Sequence, residues 1–182
     1  MPFSENTDPR DAVHLRNILL TGPPGIGKST AIRTIAEKLG VSRAGGFWSG
    51  EIRSGGERVG FDITTLDGLN GVLAHTNQNE GPGVGRYRVC LRDIDSVAVP
   101  SMVRARKEGK VIIVDEIARM ELFSESFRKE IIACLDTRRV VGAIQQRADP
   151  FLDAVRRRND VLLVTLNRTN RNQVPEQVLS EI

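Results

Sequence analysis

Residues 22 to 29 read GPPGIGKS, and this run restricts the chain to a small group of folds. It follows a short apolar stretch, NILLT at 17 to 21, and precedes a helical pattern in which Ile32, Ile35, Ala36 and Leu39 recur at i, i+3, i+4 and i+7 before Gly40 stops it. Gly22, four residues, Gly27, Lys28 and Ser29 match the phosphate-binding loop in full. The chemistry explains the residue types. Glycines let backbone N–H groups wrap a phosphate, the lysine reaches the β and γ oxygens, and the hydroxyl ligates magnesium. The helix that starts here adds its positive end to the same anion. A glycine turn that merely caps a helix gives no reason for Lys28. The nucleotide-binding candidates are therefore Gly22, Pro23, Pro24, Gly25, Ile26, Gly27, Lys28, Ser29 and Thr30.

A second stretch, VIIVDEIARMEL at 111 to 122, opens with four β-branched aliphatics and then sets Asp115 and Glu116 side by side. The apolar run predicts a strand over Val111 to Val114, buried on both faces of a parallel sheet. Adjacent carboxylates at its end are expensive unless they have work to do, and a phosphate loop supplies it. Asp115 is the candidate magnesium ligand beside Ser29, and Glu116 the candidate base that orients and activates the attacking water. Lys28 joins Glu116 as a catalytic candidate. Glu121 and Arg119 are possible supports for the pair.

The rest of the chain predicts an α/β domain. Ser96 to Glu108 reads as a helix, and Ser124 caps another that carries Phe127, Ile131, Cys134 and Leu135 on one face. Arg139 to Ala143 and Val161 to Thr165 read as strands, Asp149-Pro150 starts a helix, and a last helix covers Gln173 to Glu181. Strands separated by helices predict three layers around a mainly parallel sheet. Residues 44 to 92 differ: glycine-rich, with a Ser54-Gly55-Gly56-Glu57 turn inside IRSGGERVGFDITT, they predict a β-hairpin insertion on an edge or face of that sheet. Residues 1 to 14 read as a polar lead-in, and 15 to 182 as one domain.

Composition narrows the function classes. The 182 residues are 40% apolar and 27% charged, with a net charge of +3, too mild for a dedicated nucleic-acid binder. Cys90 and Cys134 sit among apolar neighbours and read as reduced core residues. Nothing approaches the roughly 18 uninterrupted apolar residues of a membrane span. The opening segment lacks the apolar core of a signal peptide, and a cytoplasmic location is expected.

The segments NILLTGPPGIGKST, GGFWSGEIRSGGERVGFDITTLDG, GVGRYRV, VIIVDEIARMELFS and VTLNRTNRNQVP, in that order, resemble the small P-loop nucleoside-triphosphatase family, which comprises the cancer-related nucleoside-triphosphatase and its thermophilic and archaeal relatives. The resemblance covers nearly everything after residue 15. It implies a P-loop NTPase fold, hydrolysis of ATP, GTP and other nucleoside triphosphates with Mg2+, and release of diphosphate and phosphate. The family usually has glycine where this chain has Ala118, and its loop often holds proline or histidine where this one reads GAIQQRADP.

Further candidates come from the loops that follow the strands. Asn170 and Arg171, in NRTNRN, stand at the carboxyl edge of the sheet, where nucleotides lie in doubly wound folds. Arg119, Arg147, Arg168 and Arg171 all lie in strand-end loops where one could meet charge developing on a phosphate, while each taken alone reads as a solvated arginine. Phe47 and Trp48 read as core aromatics rather than base-stacking ones. His14 and His75 have no partner at metal-ligand spacing. Two other functions fit the same motifs: a small nucleoside or nucleotide kinase that replaces water by an acceptor hydroxyl, and a nucleotide-switched module that binds RNA or protein. The nucleoside triphosphate is the expected partner, nucleic acid is possible but not indicated, and the expected state is a monomer or small homo-oligomer.

Overall fold

The structure, a computed structural model, describes residues 16–182, so the lead-in expected over 1 to 14, with His14, lies outside the described residues. One nine-stranded mixed sheet organises the rest. Its parallel part consists of β2 (Ala44–Ser54), β7 (Val111–Ile117), β8 (Val140–Ile144), β1 (Asn17–Thr21) and β9 (Val161–Thr165), in that spatial order. The antiparallel part continues from β2 through β3 (Glu57–Thr65), β4 (Asn70–His75), β6 (Tyr87–Val89) and β5 (Gly83–Val84).

Alternation along β1 fixes the layers. Ile18 and Leu20 pack with Ile32, Leu39, Val174 and Val178, so α1 (Lys28–Arg43) and α6 (Val174–Ser180) cover one face. Leu19 points to the other, packing with Met102, Phe127, Ile131 and Leu152 from α3 (Val99–Lys107), α4 (Glu125–Leu135) and α5 (Pro150–Arg156). The expected three layers are present. Phe127 is fully buried and meets Phe47 edge-on at 6.2 Å. Two local starts follow the predicted chemistry: Ser124 Oγ accepts from Phe127 N at 3.0 Å, and Asp149 accepts from Phe151 N and Leu152 N ahead of Pro150.

One polar residue stitches the base of this core. Asn17 is wholly buried; its Nδ2 donates to the carbonyls of Leu135 at 2.8 Å and Asp160 at 3.3 Å, and its Oδ1 accepts from Val140 N at 3.1 Å.

Several expected boundaries shift. The glycine-rich region takes the edge alternative of the two expected, continuing the sheet outward from β2. Ala44 to Phe47 of β2 pair in parallel with Val111 to Val114 of β7, while the outer part of the same strand pairs antiparallel with β3 through the expected Gly55-Gly56 turn. Gly46 permits this, because at φ 109 a Cβ would overlap the carbonyl oxygen of Ile113. The helix expected from Ser96 begins five residues earlier, as α2 (Leu91–Asp93) and a π-turn over Ile94–Ala98 that runs into α3. Pro100 lacks an N–H and crowds the carbonyl four residues before it, and a wider turn ahead of it relieves that conflict. Gly40 interrupts α1 at φ 68 as expected, yet a further turn resumes to Arg43. Strand β8 runs one residue later than expected, and β7 continues three residues past Val114. Among the described residues no helix is long and apolar enough to cross a membrane.

Candidate active site

Strand β1 ends at Thr21, the chain turns through Gly22 to Gly27, and α1 begins at Lys28. Gly22 is constrained by close approach: at φ 150, a Cβ there would stand 2.9 Å from the carbonyl oxygen of Leu166. Helix α1 has no side-chain cap and no acidic residue in its first turn. Its first N–H groups and the positive end of its dipole therefore remain for an anion. Ser29 and Thr30 are exposed there, and Pro23, Pro24 and Gly25 form the exposed crest of the loop, with Ile26 half-buried behind them. Lys28 folds back over the loop: its Nζ donates to the Gly22 carbonyl at 3.1 Å and lies 3.6 Å from Glu116 Oε1.

The two carboxylates are delivered by a bulge rather than by a strand end. Val114 pairs with Gly142 and Ile117 with Ile144, so β7 takes three steps where β8 takes two, and the extra residue falls at Asp115-Glu116. A bulge breaks the strict alternation of a strand and re-aims side chains. Asp115 is buried at 1% exposure, whereas the Glu116 side chain is 34% exposed and faces Lys28. Burial raises the pKa of Glu116; Lys28 opposes the shift and the Asp115 charge adds to it.

Asp115 Oδ2 accepts from Ser49 N at 3.0 Å and from Ser49 Oγ at 2.9 Å, while Oδ1 is buried with no hydrogen-bond partner. A buried unpartnered carboxylate oxygen is costly, and a cation satisfies it. Among the described residues no three His, Cys, Asp or Glu side chains converge as a protein-only metal cage. Magnesium does not require one, because it keeps waters and substrate phosphates around one or two protein ligands. The exposed Ser29 hydroxyl and the orphan oxygen of Asp115 fit such an ion.

Glu121 opens the 3-10 turn Glu121–Phe123 and is 3% exposed, with Oε2 lacking a partner. Burial pushes its pKa well above the ordinary glutamate value, and the charges of Glu116 and Asp115 push the same way. The turn tolerates Ala118 because Arg138 is the sole non-glycine residue with positive φ among the described residues.

The arginine candidates separate. Arg171 brings its Cδ to 4.0 Å from where a Cβ on Gly27 would stand, which sets its side chain against the phosphate loop. Asn170 serves the loop that presents it: its Oδ1 accepts from Asn167 N at 2.8 Å and its Nδ2 donates to the Thr165 carbonyl at 2.9 Å. Arg119, Arg147 and Arg168 are exposed; the Arg119 backbone N–H donates to Gln145 Oε1 at 3.2 Å, and the Arg147 carbonyl accepts from Arg156 at 2.9 Å. Trp48 is half-buried under the Arg33 guanidinium, 5.7 Å from its ring centroid, and His75 Nδ1 accepts from Asn77 N in a turn of the β extension.

Sequence reasoning missed three residues at the site. Ser49 holds Asp115, Arg33 donates to the Ser49 carbonyl at 2.8 Å, and the buried Thr21 Oγ1 at the end of β1 has no partner. Only Thr21 carried a signal, as the hydroxyl directly ahead of the glycine loop.

Comparison with known proteins identifies the family. A family profile described as NTPase matches residues 17–179. The nucleoside-triphosphatase THEP1 of Thermotoga maritima is 43% identical over 164 residues, which cover 90% of this chain and 93% of that protein. The human cancer-related nucleoside-triphosphatase is 34% identical over 181 residues, 91% of this chain and 95% of its own. The crystal structure of THEP1 from Aquifex aeolicus superposes with a TM-score of 0.83 at 36% identity, covering 90% of this chain and 97% of that one. The chain belongs to the NTPase family.

Proposed function

We propose that this protein hydrolyses nucleoside triphosphates to the diphosphate and phosphate. The observation that carries the reading is the 3.6 Å approach of Lys28 Nζ to Glu116 Oε1 beside an uncapped helix start, which sets a phosphate-holding cation next to a candidate base. The N–H groups of Gly25, Gly27, Lys28 and Ser29 and the Lys28 ammonium bind the β and γ phosphate oxygens, and the Arg171 side chain stands against the same loop. Ser29 and Asp115 would hold magnesium, which when bound would offset the charge of the phosphate oxygens. Glu116 accepts a proton from water as the water oxygen bonds to the γ-phosphorus. The bond from that phosphorus to its bridging oxygen breaks, and the electron pair leaves with the diphosphate. Lys28 neutralises charge gathering on the departing oxygens.

Names of relatives support the reaction class: those from Thermotoga maritima and human are called nucleoside-triphosphatases. The test is phosphate release from ATP, GTP, CTP and UTP with magnesium, run beside Glu116→Gln and repeated with a pool of nucleosides and nucleoside monophosphates. Release that the variant loses and the pool leaves unchanged supports hydrolysis. Transfer of phosphate to a member of the pool overturns it in favour of a kinase.

A further inference from the structure

Asp115 is held from outside its own strand. The parallel ladder between β2 and β7 runs from Ala44 opposite Val111 to Phe47 opposite Val114 and goes no further. Two residues on, Ser49 gives its backbone N–H to Asp115 Oδ2 at 3.0 Å instead of to a β7 carbonyl, and its hydroxyl donates to that same oxygen at 2.9 Å. Both bonds fall on one oxygen, and Oδ1 keeps none although it is buried. The carboxylate cannot turn to satisfy Oδ1 without giving up two charge-assisted hydrogen bonds, each roughly twice as strong as a neutral one. Behind Ser49, Arg33 donates to its carbonyl at 2.8 Å, lies over Trp48, and buries an Nε that has no partner. A contact path thus runs from α1, one turn past the phosphate loop, through β2 to Asp115.

We infer that Ser49 is the positioning residue of the metal-facing carboxylate: it ties down Oδ2 so that Oδ1 is kept for the cation, and Arg33 holds Ser49 in place. The inference rests on the reading of Asp115 as a magnesium ligand. It also assigns a use to the glycine-rich extension. Strand β2 carries the Ser49 hydroxyl at its middle and the β3 hairpin beyond it, so the extension and the metal site share one strand. If Ser49 instead serves only to end the ladder, removing its hydroxyl lowers stability and leaves metal affinity alone.

The test uses the full chain with Mn2+ as the probe, titrated in the presence of a non-hydrolysable triphosphate and followed by the electron paramagnetic resonance signal of free Mn2+. Loss of a residue that orients a metal ligand typically weakens metal binding by about 10-fold or more. Ser49→Ala is expected to raise the Mn2+ dissociation constant by about 10-fold, Ser49→Thr to restore it, and nucleotide affinity in chelator to stay within about twofold. Arg33→Met, with the hydroxyl intact, is expected to show a smaller loss of the same kind. Should Ser49→Ala not fold, Ser49→Cys keeps the volume, weakens the donor and carries the same expectation. Mn2+ affinity within about twofold of wild type in Ser49→Ala, with a lowered Tm, overturns the inference. Wild-type protein that binds triphosphate but no Mn2+ overturns the role of Asp115 and takes this inference with it, a result told apart by appearing before any substitution.

Discussion

Lys28 Nζ stands 3.6 Å from Glu116 Oε1 and 3.1 Å from the Gly22 carbonyl, so one ammonium links the phosphate loop to the bulged strand β7. The two residues are 88 positions apart in the chain: Glu116 lies on β7 and Lys28 opens α1, the helix that follows β1, and β7 and β1 flank β8. Glu116→Gln keeps the shape of the side chain and removes its basicity. It is expected to lower kcat by on the order of 10² to 10⁴ while leaving triphosphate affinity within about threefold. Single-turnover hydrolysis beside equilibrium binding of a non-hydrolysable analogue separates the two quantities. Normal turnover in the variant removes Glu116 from the mechanism.

The pKa of Glu116 is raised, chiefly by burial, and its charged form is the one that accepts a proton. Activity should therefore be lost as pH falls through a value above the ordinary glutamate pKa of about 4.3. Below that limb, kcat is expected to drop about tenfold per pH unit. The pH dependence of kcat at saturating triphosphate and metal checks this; an acid limb at or below the ordinary value would mean that the carboxylate is not buried during turnover.

Glu121 makes an opposite kind of contribution, to stability. Its folded-state pKa lies well above the unfolded one, so between the two values the folded chain binds more protons. The neutral acid is accommodated fully below the unfolded pKa, and stability declines as pH rises through the folded value. Glu121→Gln, neutral at every pH, is expected to match the wild type near pH 4.5 and to exceed it in Tm by pH 8, a window that opens just above the ordinary value of about 4.3. Thermal melts across this range decide the point. A difference in Tm that does not vary with pH contradicts it.

How far these features could be read in the sequence depends on whether their partners are contiguous. GPPGIGKS carries its chemistry within one loop, and strand and helix signals flank it, so its position needed no tertiary information. Asp115 and Glu116 stood out because charge follows a four-residue apolar run. The bulge that re-aims them did not, since an extra residue is visible only against β8. Ser49 was invisible for the same reason, its partner being 66 residues away in a strand whose neighbour no local pattern names. Burial of Glu121 depends on how the chain folds back after β7, and its spacing in DEIARMEL read equally well as a surface carboxylate.

Gly46 tests whether close packing of β2 on β7 positions the site. With φ 109 and the Ile113 carbonyl where a Cβ would go, Gly46→Ala combines a disfavoured backbone conformation with a clash against backbone. A cost of about 3 kcal/mol is expected, which for a domain of this size lowers Tm by roughly 6–12 °C. Because Gly46 lies within the β2–β7 ladder, three residues before Ser49, metal affinity should fall with it. Calorimetry beside the Mn2+ titration measures both.

Asn17 offers the cleanest separation of stability from catalysis, since it sits at the amino end of β1, away from the loop at its carboxyl end. Its side chain supplies two donors and one acceptor to backbone groups of Leu135, Asp160 and Val140. Asn17→Leu keeps the volume but strands the Val140 N–H in the core, at about 1–3 kcal/mol, while the Leu135 carbonyl keeps its bond from the Arg138 N–H. Asn17→Asp retains the acceptor for Val140 N but, once ionised, turns a negative oxygen toward the two carbonyls and has no donor for either. Burial and those carbonyls favour its protonated form, so the deficit of Asn17→Asp should be small at low pH and grow as pH rises, whereas that of Asn17→Leu stays flat. Chemical denaturation at two pH values gives both slopes, and kcat per folded molecule is expected to match the wild type in each variant. A loss of kcat without a loss of stability would place Asn17 in the machinery of the site rather than in the scaffold beneath it.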